Sequence, residues 1–173
     1  LLSEALAGVT TTYEYDANGN TSKRTTPTET ASYAWNVENR LVGADVTDAN
    51  GVRRLAYQYD DDGIRVAAFV DGDETRYLID ANRPFAQVVE EYAPNGAVRA
   101  AYTHGPHHLI SQSRAGARSW YHADGLCSTR ALTGQSGSPT DRYHFDAYGR
   151  TLAQSGPTDN AYLYAGEQRD RNL

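Results

Sequence analysis

Hydrophobic and aromatic residues recur along this chain in short alternating runs that are separated by turn-forming residues. The run from Tyr143 to Arg150, which reads YHFDAYGR, places two aromatics at positions i and i+2, followed by an aspartate and a glycine-containing bend. Because side chains alternate between the two faces of a strand, both aromatics lie on the same face. The pattern therefore predicts a short strand that runs into a turn.

The same run returns along the chain with a spacing of about twenty residues. The leading tyrosines of the copies are Tyr13, Tyr33, Tyr57, Tyr77, Tyr121, Tyr143 and Tyr162. The first four are 20, 24 and 20 residues apart, and the last three are 22 and 19 residues apart. A period near twenty residues is typical of a repeat protein, in which each copy is one structural unit.

The alternation of apolar and polar residues, and the lack of a helical period, determine the predicted fold class. No window longer than one turn shows apolar residues at the 3.6-residue spacing of a helix, so we expect an all-β chain of about sixteen short strands. The pair Asn18-Gly19 predicts a tight hairpin with a positive-φ residue. The segment from Leu1 to Val9 is compatible with one turn of helix or with a leading strand. Asp80 to Pro84 is expected to bend, and Ala161 to Tyr164 is expected to be the last strand.

A repeat of two strands cannot bury its aromatic face alone, so neighbouring copies are expected to stack into one continuous sheet. Such a sheet coils as it grows, because strands twist. Its first and last strands would be open edges. We therefore expect the chain to associate with the rest of its own polypeptide or with further copies of itself.

Composition agrees with a thin sheet and excludes several partners. The hydrophobic content is 39%, the mean hydropathy is −0.67, and 13 tyrosines stand against 3 phenylalanines and 2 tryptophans. Tyrosine buries a ring while its hydroxyl reaches a partner or water, which suits a sheet that is wet on one side. A net charge of −6 with no basic cluster argues against nucleic acid. No apolar run is long enough to predict a membrane span.

The aspartates of the repeat invite an acid–base or metal interpretation, but their positions favour a structural one. An aspartate at the end of a strand is expected to accept hydrogen bonds from the next two backbone N–H groups and to close the turn. The stretches from Asp60 to Gly63 and from Asp71 to Asp73 resemble fragments of calcium loops, yet neither is followed by a bidentate glutamate at the required spacing. We predict no calcium site.

Other candidates for chemistry are also weak. Gly105-Pro106 separates His104 from His107 and His108, which disfavours a shared zinc site. Cys127 is the single cysteine, and no nucleophilic motif surrounds it or Ser128. We therefore predict no catalytic residue, no cofactor and no metal, and the sequence leaves the roles of Cys127 and of the histidine group open.

The repeated Tyr-x-Tyr-Asp-x-x-Gly-Arg pattern resembles the YD repeat of RHS proteins, a class that includes the bacterial Tc-toxin C components and the teneurins. Residues 121–173 are similar to the segment that leads into the RHS core-associated region. The expected division is therefore YD repeats over 1–120 and the start of that region over 121–173, within the same β-sheet. Cys127 departs from the family's usual glycine, and residues 88–119 keep the spacing only loosely.

The resemblance implies a function as well as a fold. It implies a section of a coiled hollow YD-repeat shell that encloses a C-terminal toxin or effector, helps to deliver it, and is secreted or displayed on a bacterial surface. The family's self-cleavage motif, Asp-Pro-x-Gly, does not occur in this sequence, so no enzyme activity is expected. Family members normally continue past the position of Leu173, so we expect a piece of a longer polypeptide. Two alternatives stay open: an extracellular adhesion or recognition module, and a self-assembling surface tube or filament.

The residues predicted to build the repeat share three roles, namely the strand aromatics, the turn aspartates and the turn glycines. They are Tyr13, Tyr15, Asp16, Gly19, Tyr33, Trp35, Tyr57, Tyr59, Asp60, Gly63, Tyr77, Asp80, Tyr121, Asp124, Tyr143, Asp146, Gly149, Tyr162, Tyr164 and Gly166.

Overall fold

The computed structural model describes residues 2–6, 8–83 and 85–173, and these residues form fifteen antiparallel strands in one open sheet, ordered as in the chain. The predicted all-β class is confirmed. The strands are β1 (Ser3–Leu6), β2 (Val9–Tyr15), β3 (Thr21–Thr25), β4 (Thr30–Trp35), β5 (Leu41–Asp48), β6 (Gly51–Tyr59), β7 (Arg65–Val70), β8 (Asp73–Asp80), β9 (Gln87–Tyr92), β10 (Val98–His104), β11 (Leu109–Arg114), β12 (Ala117–Ala123), β13 (Thr129–Thr133), β14 (Pro139–Phe145) and β15 (Thr151–Ser155).

The alternating pattern of the sequence becomes an alternation of burial along the strands. In β14, Asp141, Tyr143 and Phe145 are buried, whereas Arg142 and His144 between them are exposed. The same alternation in β6 buries Leu55 and Tyr57. We call the surface that carries these tyrosines the tyrosine face. Within the strands of each unit it carries the leading tyrosines of the repeats, because side chains two residues apart share a face.

Two strands and two turns make up one repeat, which explains the period near twenty. Because consecutive strands are antiparallel, every second turn lies on the same edge of the sheet. The loops that begin at Asp16, Asn36 and Asp60 therefore share one edge in the first part of the chain, and those that begin at Asp124 and Asp146 share one edge in the second. We call these five loops the repeat turns.

The chain divides into two compact units. Unit 1 comprises Leu1–Arg76 with Asn172–Leu173, and unit 2 comprises Tyr77–Arg171. This is a division by packing. The sequence indicates a different division, at residue 120, between YD repeats and the core-associated-like region. That division rests on resemblance to a family and stays a prediction.

Unit 2 contains the larger core. Its buried residues are Ala100, Tyr102, Leu109, Tyr121, Leu132, Tyr143, Phe145, Ala161, Tyr162 and Leu163, with Val88 and Tyr164 packed against them. Unit 1 buries mainly small or single side chains on its tyrosine face, such as Ala31, Ala44, Val46 and Leu55.

The structure corrects one detail of the sequence interpretation and specifies two others. The segment from Ala161 to Tyr164 is not a strand, because it forms one isolated bridge between Tyr162 and Gln168 and then a single 3₁₀ turn, Tyr164–Gly166. Asn18-Gly19 lies in the hairpin between β2 and β3, whose loop has five residues, and Gly19 has the predicted positive φ, at 86°. The start of the chain is a strand over Ser3–Leu6, while Leu1 and the end of the predicted bend at Pro84 lie outside the described residues.

Candidate functional site: repeat turns and a segment across the tyrosine face

Each repeat turn is closed by the side chain of its first residue. In the loop 16–20, the Asp16 Oδ1 atom accepts the backbone N–H groups of Asn18 at 2.9 Å and of Asn20 at 2.8 Å. The backbone N–H of Gly19 donates to the Asp16 carbonyl at 3.1 Å, and the Asp16 N–H donates to the Asn20 carbonyl at 2.9 Å. The carboxylate therefore satisfies amides two and four residues ahead, where the sequence predicted the next two.

The other repeat turns follow the same plan. Asp124 accepts the amides of Leu126 and Ser128, and Asp146 accepts those of Tyr148 and Arg150. Asp60 accepts the amide of Ile64 at 2.8 Å. Asp80, which ends β8, accepts the amide of Asn82 at 3.1 Å and pairs with Arg83 at 3.2 Å.

Asn36 performs the same role with an amide oxygen, because its Oδ1 accepts the N–H groups of Glu38 and Arg40. The turn geometry therefore needs an acceptor and does not need a charge. Where the acceptor is an aspartate, the hydrogen bonds that it receives stabilise the charged carboxylate and so lower its pKa. The side chain of Asn20 lowers the pKa of Asp16, and the Asn82 amide lowers that of Asp80.

The last residue of the hydrogen-bonded turn has a left-handed backbone. Gly19, Gly63 and Gly149 have φ values of 86°, 80° and 88°, while Asn39 and Cys127 take the equivalent position with φ of 58° and 63°. The departure at Cys127 thus keeps the backbone of the repeat. Its Sγ lies 3.7 Å from the His107 carbonyl oxygen of an adjacent loop.

Two of these glycines also make room for a neighbouring side chain. The guanidinium of Arg40, from the preceding repeat turn, occupies the space that a Cβ on Gly63 would fill. The ring of Tyr164 does the same at Gly149, where a Cβ would lie 2.7 Å from the Tyr164 Cδ1. Gly19 has nothing within 4 Å of that position. The glycine therefore also serves as a docking point between chain segments.

Strand aromatics of unit 1 anchor neighbouring strands through their polar atoms. Tyr13 donates to Glu4 at 2.6 Å, and this hydrogen bond raises the pKa of the Tyr13 hydroxyl. Trp35 donates from Nε1 to the Thr21 carbonyl at 2.8 Å, and Tyr59 donates to the Leu41 carbonyl at 2.7 Å. Tyr57 is buried beneath Arg65, whose guanidinium carbon lies 4.9 Å from the ring centre.

The remaining predicted aromatics of unit 1 and of β8 are partly exposed to solvent. Tyr15, at the end of β2, is 39% exposed, while Tyr33 in β4 and Tyr77 in β8 are half-buried. Their positions follow the repeat, but none of them enters a core cluster.

After β15 the chain leaves the sheet and crosses the tyrosine face of unit 2. We call residues 156–171 the strap. The exit is at Gly156, where the Asp141 carboxylate occupies the space of a Cβ. Asp141 is 1% exposed and accepts the backbone N–H and the hydroxyl of Thr158. The buried carboxylate therefore holds the first residues of the strap.

The strap is seated mainly through its backbone. The amide side chain of Gln112 donates to the Asp159 carbonyl at 3.0 Å, and the Thr129 hydroxyl donates to the Tyr162 carbonyl at 2.8 Å. The Thr129 N–H donates to the Leu163 carbonyl at 2.8 Å, and the Ala165 N–H donates to the Ser128 hydroxyl at 3.0 Å. Polar residues of the sheet thus receive an extended polypeptide much as a neighbouring strand would.

Side chains complete the contact. Tyr162 packs edge-on against Tyr102 with 5.0 Å between ring centres, and the Tyr164 ring packs against Phe145 at 5.8 Å. Tyr164 also donates to the Ala147 carbonyl of a repeat turn at 2.8 Å, which joins the strap to the repeat edge. Gly166, with φ of 73°, lies beside Cys127.

A charged network lies on the face beneath the strap. Arg114 donates to Glu91 at 2.9 Å and to the Tyr102 hydroxyl at 3.0 Å, and it pairs with the strap's Asp159 at 3.3 Å. Arg171 pairs with the same Asp159. Burial raises the pKa of the Tyr102 hydroxyl, and the adjacent Glu91 carboxylate raises it further. Tyr102 therefore stays protonated and donates to Glu91 at 2.6 Å.

Two more tyrosines of this face differ in their partners. The Tyr121 hydroxyl lies 2.8 Å from Gln112 Oε1 and 2.7 Å from Asn160 Oδ1, so it connects the sheet to the strap. Burial raises the pKa of the Tyr143 hydroxyl, and the nearby Asn160 opposes that rise. The Tyr143 hydroxyl and the Asn160 side chain do not reach hydrogen-bonding geometry. The buried Tyr143 hydroxyl therefore has no partner among the described residues.

The histidines do not assemble. His104 is half-buried and its Nε2 contacts the Val88 carbonyl at 2.8 Å, whereas His107 and His108 are exposed in the following loop. Within the described residues, no group of three or more His, Cys, Asp or Glu side chains is arranged to hold a metal ion. The part of the chain that the structure describes also contains no helix with the length and apolar character to cross a membrane.

Sequence reasoning missed the residues that seat the strap. Glu91, Gln112, Arg114, Asp141 and Asn160 belong to no repeat position, and their role depends on contacts between distant parts of the chain. The available signal was Gly156-Pro157, a break that ends β15.

Comparison with known proteins places these features in a family. Residues 6–172 match the family model described as teneurin YD-shell. The chain is 32% identical over 161 residues to a tRNA3(Ser)-specific nuclease WapA of Bacillus spizizenii and 31% identical to a tRNA nuclease WapA of Bacillus subtilis. Each match covers 90% of this chain but only 7% of the relative.

Solved structures show the same fold. A Photorhabdus luminescens Tc holotoxin pore matches 98% of this chain and 11% of its own, with a TM-score of 0.54 and 15% identity. A TcdB2–TccC3 crystal structure matches 95% of this chain and 11% of its own, with a TM-score of 0.56 and 14% identity.

Proposed function

Because the chain belongs to the teneurin YD-shell family, we propose that this wall segment encloses a C-terminal toxin or effector domain and helps to deliver it. The observation that carries the proposal is the unbroken antiparallel order of the strands, in which each strand follows its sequence neighbour across one open sheet. A wall of this kind joins every strand to the next by backbone hydrogen bonds. The similarity to chains of Tc-toxin assemblies supports the same role.

The proposed mechanism is physical containment, which needs no chemistry from the wall. An enclosed polypeptide cannot reach its substrate until the wall opens or releases it. In this proposal residues 1–120 supply YD repeats and residues 121–173 begin the core-associated region. The strap supports that division, because it is the segment that leaves the sheet and crosses its tyrosine face.

The chain spans about 7% of the length of the curated relatives described above. We therefore assign no enzyme activity to it and infer that the nuclease activity named for those relatives belongs to another part of them. We further propose that the native protein is secreted or displayed at a bacterial surface, which is supported by the bacterial origin of the relatives.

The first test is the mass and assembly state of the native material, measured by size-exclusion chromatography with light scattering and then by electron microscopy. We expect closed, hollow particles that contain polypeptide in addition to these 173 residues. Open tubes or filaments built from this chain alone would contradict containment and favour a structural polymer. A compact monomer would also contradict it and would leave an adhesion module as the function to pursue.

A further inference from the structure

The tyrosine face of unit 1 carries an arginine that lacks a partner. Arg53 lies in β6 on the same face as Leu55 and Tyr57, and it stands opposite Val46 of β5. It is half-buried, and its Nε atom is buried without a hydrogen-bond partner. No hydrogen bond or ion pair joins its guanidinium to another residue of ranges 2–6, 8–83 and 85–173. A partly buried charge without an acceptor is costly unless a partner is supplied.

Nearby carboxylates on this face are already engaged. By register Asp48 lies diagonal to Arg53, but its Oδ1 accepts the Asn50 amide at 2.7 Å. Glu29 pairs with Arg24, which lies in the same cross-strand row as Arg53, beyond Ala31 and Val46. Arg24 also has a buried Nε without a partner. The row therefore has an excess of donors over acceptors.

Unit 2 shows what such an arginine binds when the face is covered. Arg114 also lies on the tyrosine face, and its Nε is likewise buried without a partner. Its terminal nitrogens hold Glu91 of the sheet and Asp159 of the strap. The occupant of that face is thus an extended polypeptide that is held partly through its backbone and presents a carboxylate to an arginine.

We propose that the tyrosine face of unit 1 binds an extended acidic polypeptide segment, with Arg53 as the residue that binds its carboxylate. The segment takes the position relative to Arg53 that the strap takes relative to Arg114. Half-buried Tyr13 lies in the row, opposite Arg24, and half-buried Tyr33 lies beside the row. Both offer ring surface to a bound segment. The inference rests on the proposed function for the source of the segment, which is the enclosed polypeptide.

Charge favours a polypeptide over a nucleic acid as the partner. A polyphosphate carries one negative charge per nucleotide, so the net charge of −6 repels it more strongly than a segment with a few separate carboxylates. The two arginines of the row are three strands apart, or about 14 Å at the usual strand spacing, and do not form a basic stripe. Isolated guanidinium groups suit separate carboxylates, which they hold by two parallel hydrogen bonds.

The test uses two synthetic ten-residue probes of glycine and serine, one with three aspartates and one with three asparagines. Fluorescence anisotropy of labelled probes with the 173-residue chain measures both affinities at low salt. We expect the aspartate probe to bind roughly tenfold more tightly, as one charge-assisted hydrogen-bonded pair requires. Arg53→Gln should abolish that preference.

Arg54→Gln is the matched control, because Arg54 is adjacent in β6 but exposed on the opposite face. It should keep the preference for the aspartate probe. An unchanged preference in Arg53→Gln, or an equal loss in both variants, would overturn the proposal. Binding of a ten-residue oligothymidine that depends on Arg53 would overturn it in favour of a nucleic-acid site.

Two further measurements distinguish a failure of the Arg53 site from a loss of folding and from a failure of the containment proposal. Arg53→Gln removes an unpartnered half-buried charge, so its thermal unfolding midpoint should be no lower than that of the parent chain. If native particles are hollow and the preference is absent, containment stands and the Arg53 site is rejected. If native material forms open tubes and the preference is present, the peptide site stands and containment is rejected.

Discussion

At the scale of single residues, the ring of Tyr143 gives the most direct test of the tyrosine face. The residue is 1% exposed and its ring stacks on Phe145 with 6.5 Å between centres. Replacement by alanine leaves a cavity, so we expect Tyr143→Ala to lower the free energy of unfolding by about 3–5 kcal/mol. Tyr148→Ala is the control, because Tyr148 is 94% exposed. Urea titration measures both, and similar small losses would contradict a buried aromatic wall at Tyr143.

The hydroxyl groups of Tyr143 and Tyr121 give a second prediction. The Tyr121 hydroxyl connects Gln112 of the sheet with Asn160 of the strap, whereas the Tyr143 hydroxyl has no partner within the described chain. We expect Tyr121→Phe to cost about 1–3 kcal/mol, because the hydroxyl's donated hydrogen bond to a buried amide oxygen is lost. Tyr143→Phe should be neutral or stabilising. Chemical denaturation of both variants checks this, and the reverse order of stability would refute the assignment.

At the scale of turns and strands, glycine at the left-handed position serves two purposes that substitution can separate. Gly19 and Gly149 have nearly the same φ, so an alanine at either carries the same backbone strain of about 1–2 kcal/mol. Only at Gly149 does the new methyl group meet the Tyr164 ring. Gly149→Ala should therefore cost a further 1–3 kcal/mol or so from overpacking.

Hydrogen exchange distinguishes the two variants in structural terms. Gly149→Ala should raise exchange in residues 162–168, because Tyr164 is displaced from its hydrogen bond to Ala147. Gly19→Ala should leave exchange of that segment unchanged. Equal exchange of residues 162–168 in both variants would show that Gly149 is required for its backbone conformation alone.

The turn aspartates make the sheet sensitive to acid. The Tyr148 amide lowers the pKa of Asp146, and the Arg150 amide and guanidinium lower it further. A carboxyl with a lower pKa in the folded state contributes stability above its unfolded pKa of about 3.9, and that stability is lost as pH falls through the folded pKa. We expect the unfolding midpoint to fall as pH drops from 5 to about 3.

Asp146→Asn should keep the turn and reduce this dependence, since Asn36 shows that an amide oxygen closes the same loop. The variant should be slightly less stable than the parent at pH 7, because it lacks the ion pair of Asp146 with Arg150. It should show a shallower decline in acid and approach the parent there, where the Asp146 carboxyl is protonated. The decline should not disappear, because the Asp16 and Asp80 carboxyls also have lowered pKa values. A parallel decline in parent and variant would exclude Asp146 as a source of the acid sensitivity.

At the scale of the whole molecule, the sequence predicted the repeated strands and turns. It did not predict the strap, which contacts strands that are distant from it in sequence. Alternation and the twenty-residue period predicted the strands and the repeat turns, because those depend on neighbours in sequence. Tyr162-Leu163-Tyr164 shows the same alternation as a strand but lies across the face. Its partners Ser128 and Thr129 are more than thirty residues away, so no local pattern reveals them.

The two units should differ in local stability, because their cores differ. Unit 2 buries a cluster of aromatic and aliphatic side chains beneath the strap, whereas the outer strands β1 and β2 of unit 1 are mostly exposed. Protection from hydrogen exchange follows buried contacts. We therefore expect amides of β11 to β14 to exchange slowest and those of β1 to β3 fastest, as measured by mass spectrometry at neutral pH.

A variant at the exit of the strap decides whether the strap is responsible for this difference. Asp141→Ala removes the buried carboxylate that holds Thr158 and should increase exchange in residues 156–165 and in the underlying strands β12 and β13. Asp45→Ala, at an exposed position of β5, is the control and should leave unit 2 unchanged. If β12 and β13 stay protected while residues 156–165 exchange, the sheet of unit 2 is stable without its cover. In that case the strap is an occupant of the tyrosine face and not a part of its core.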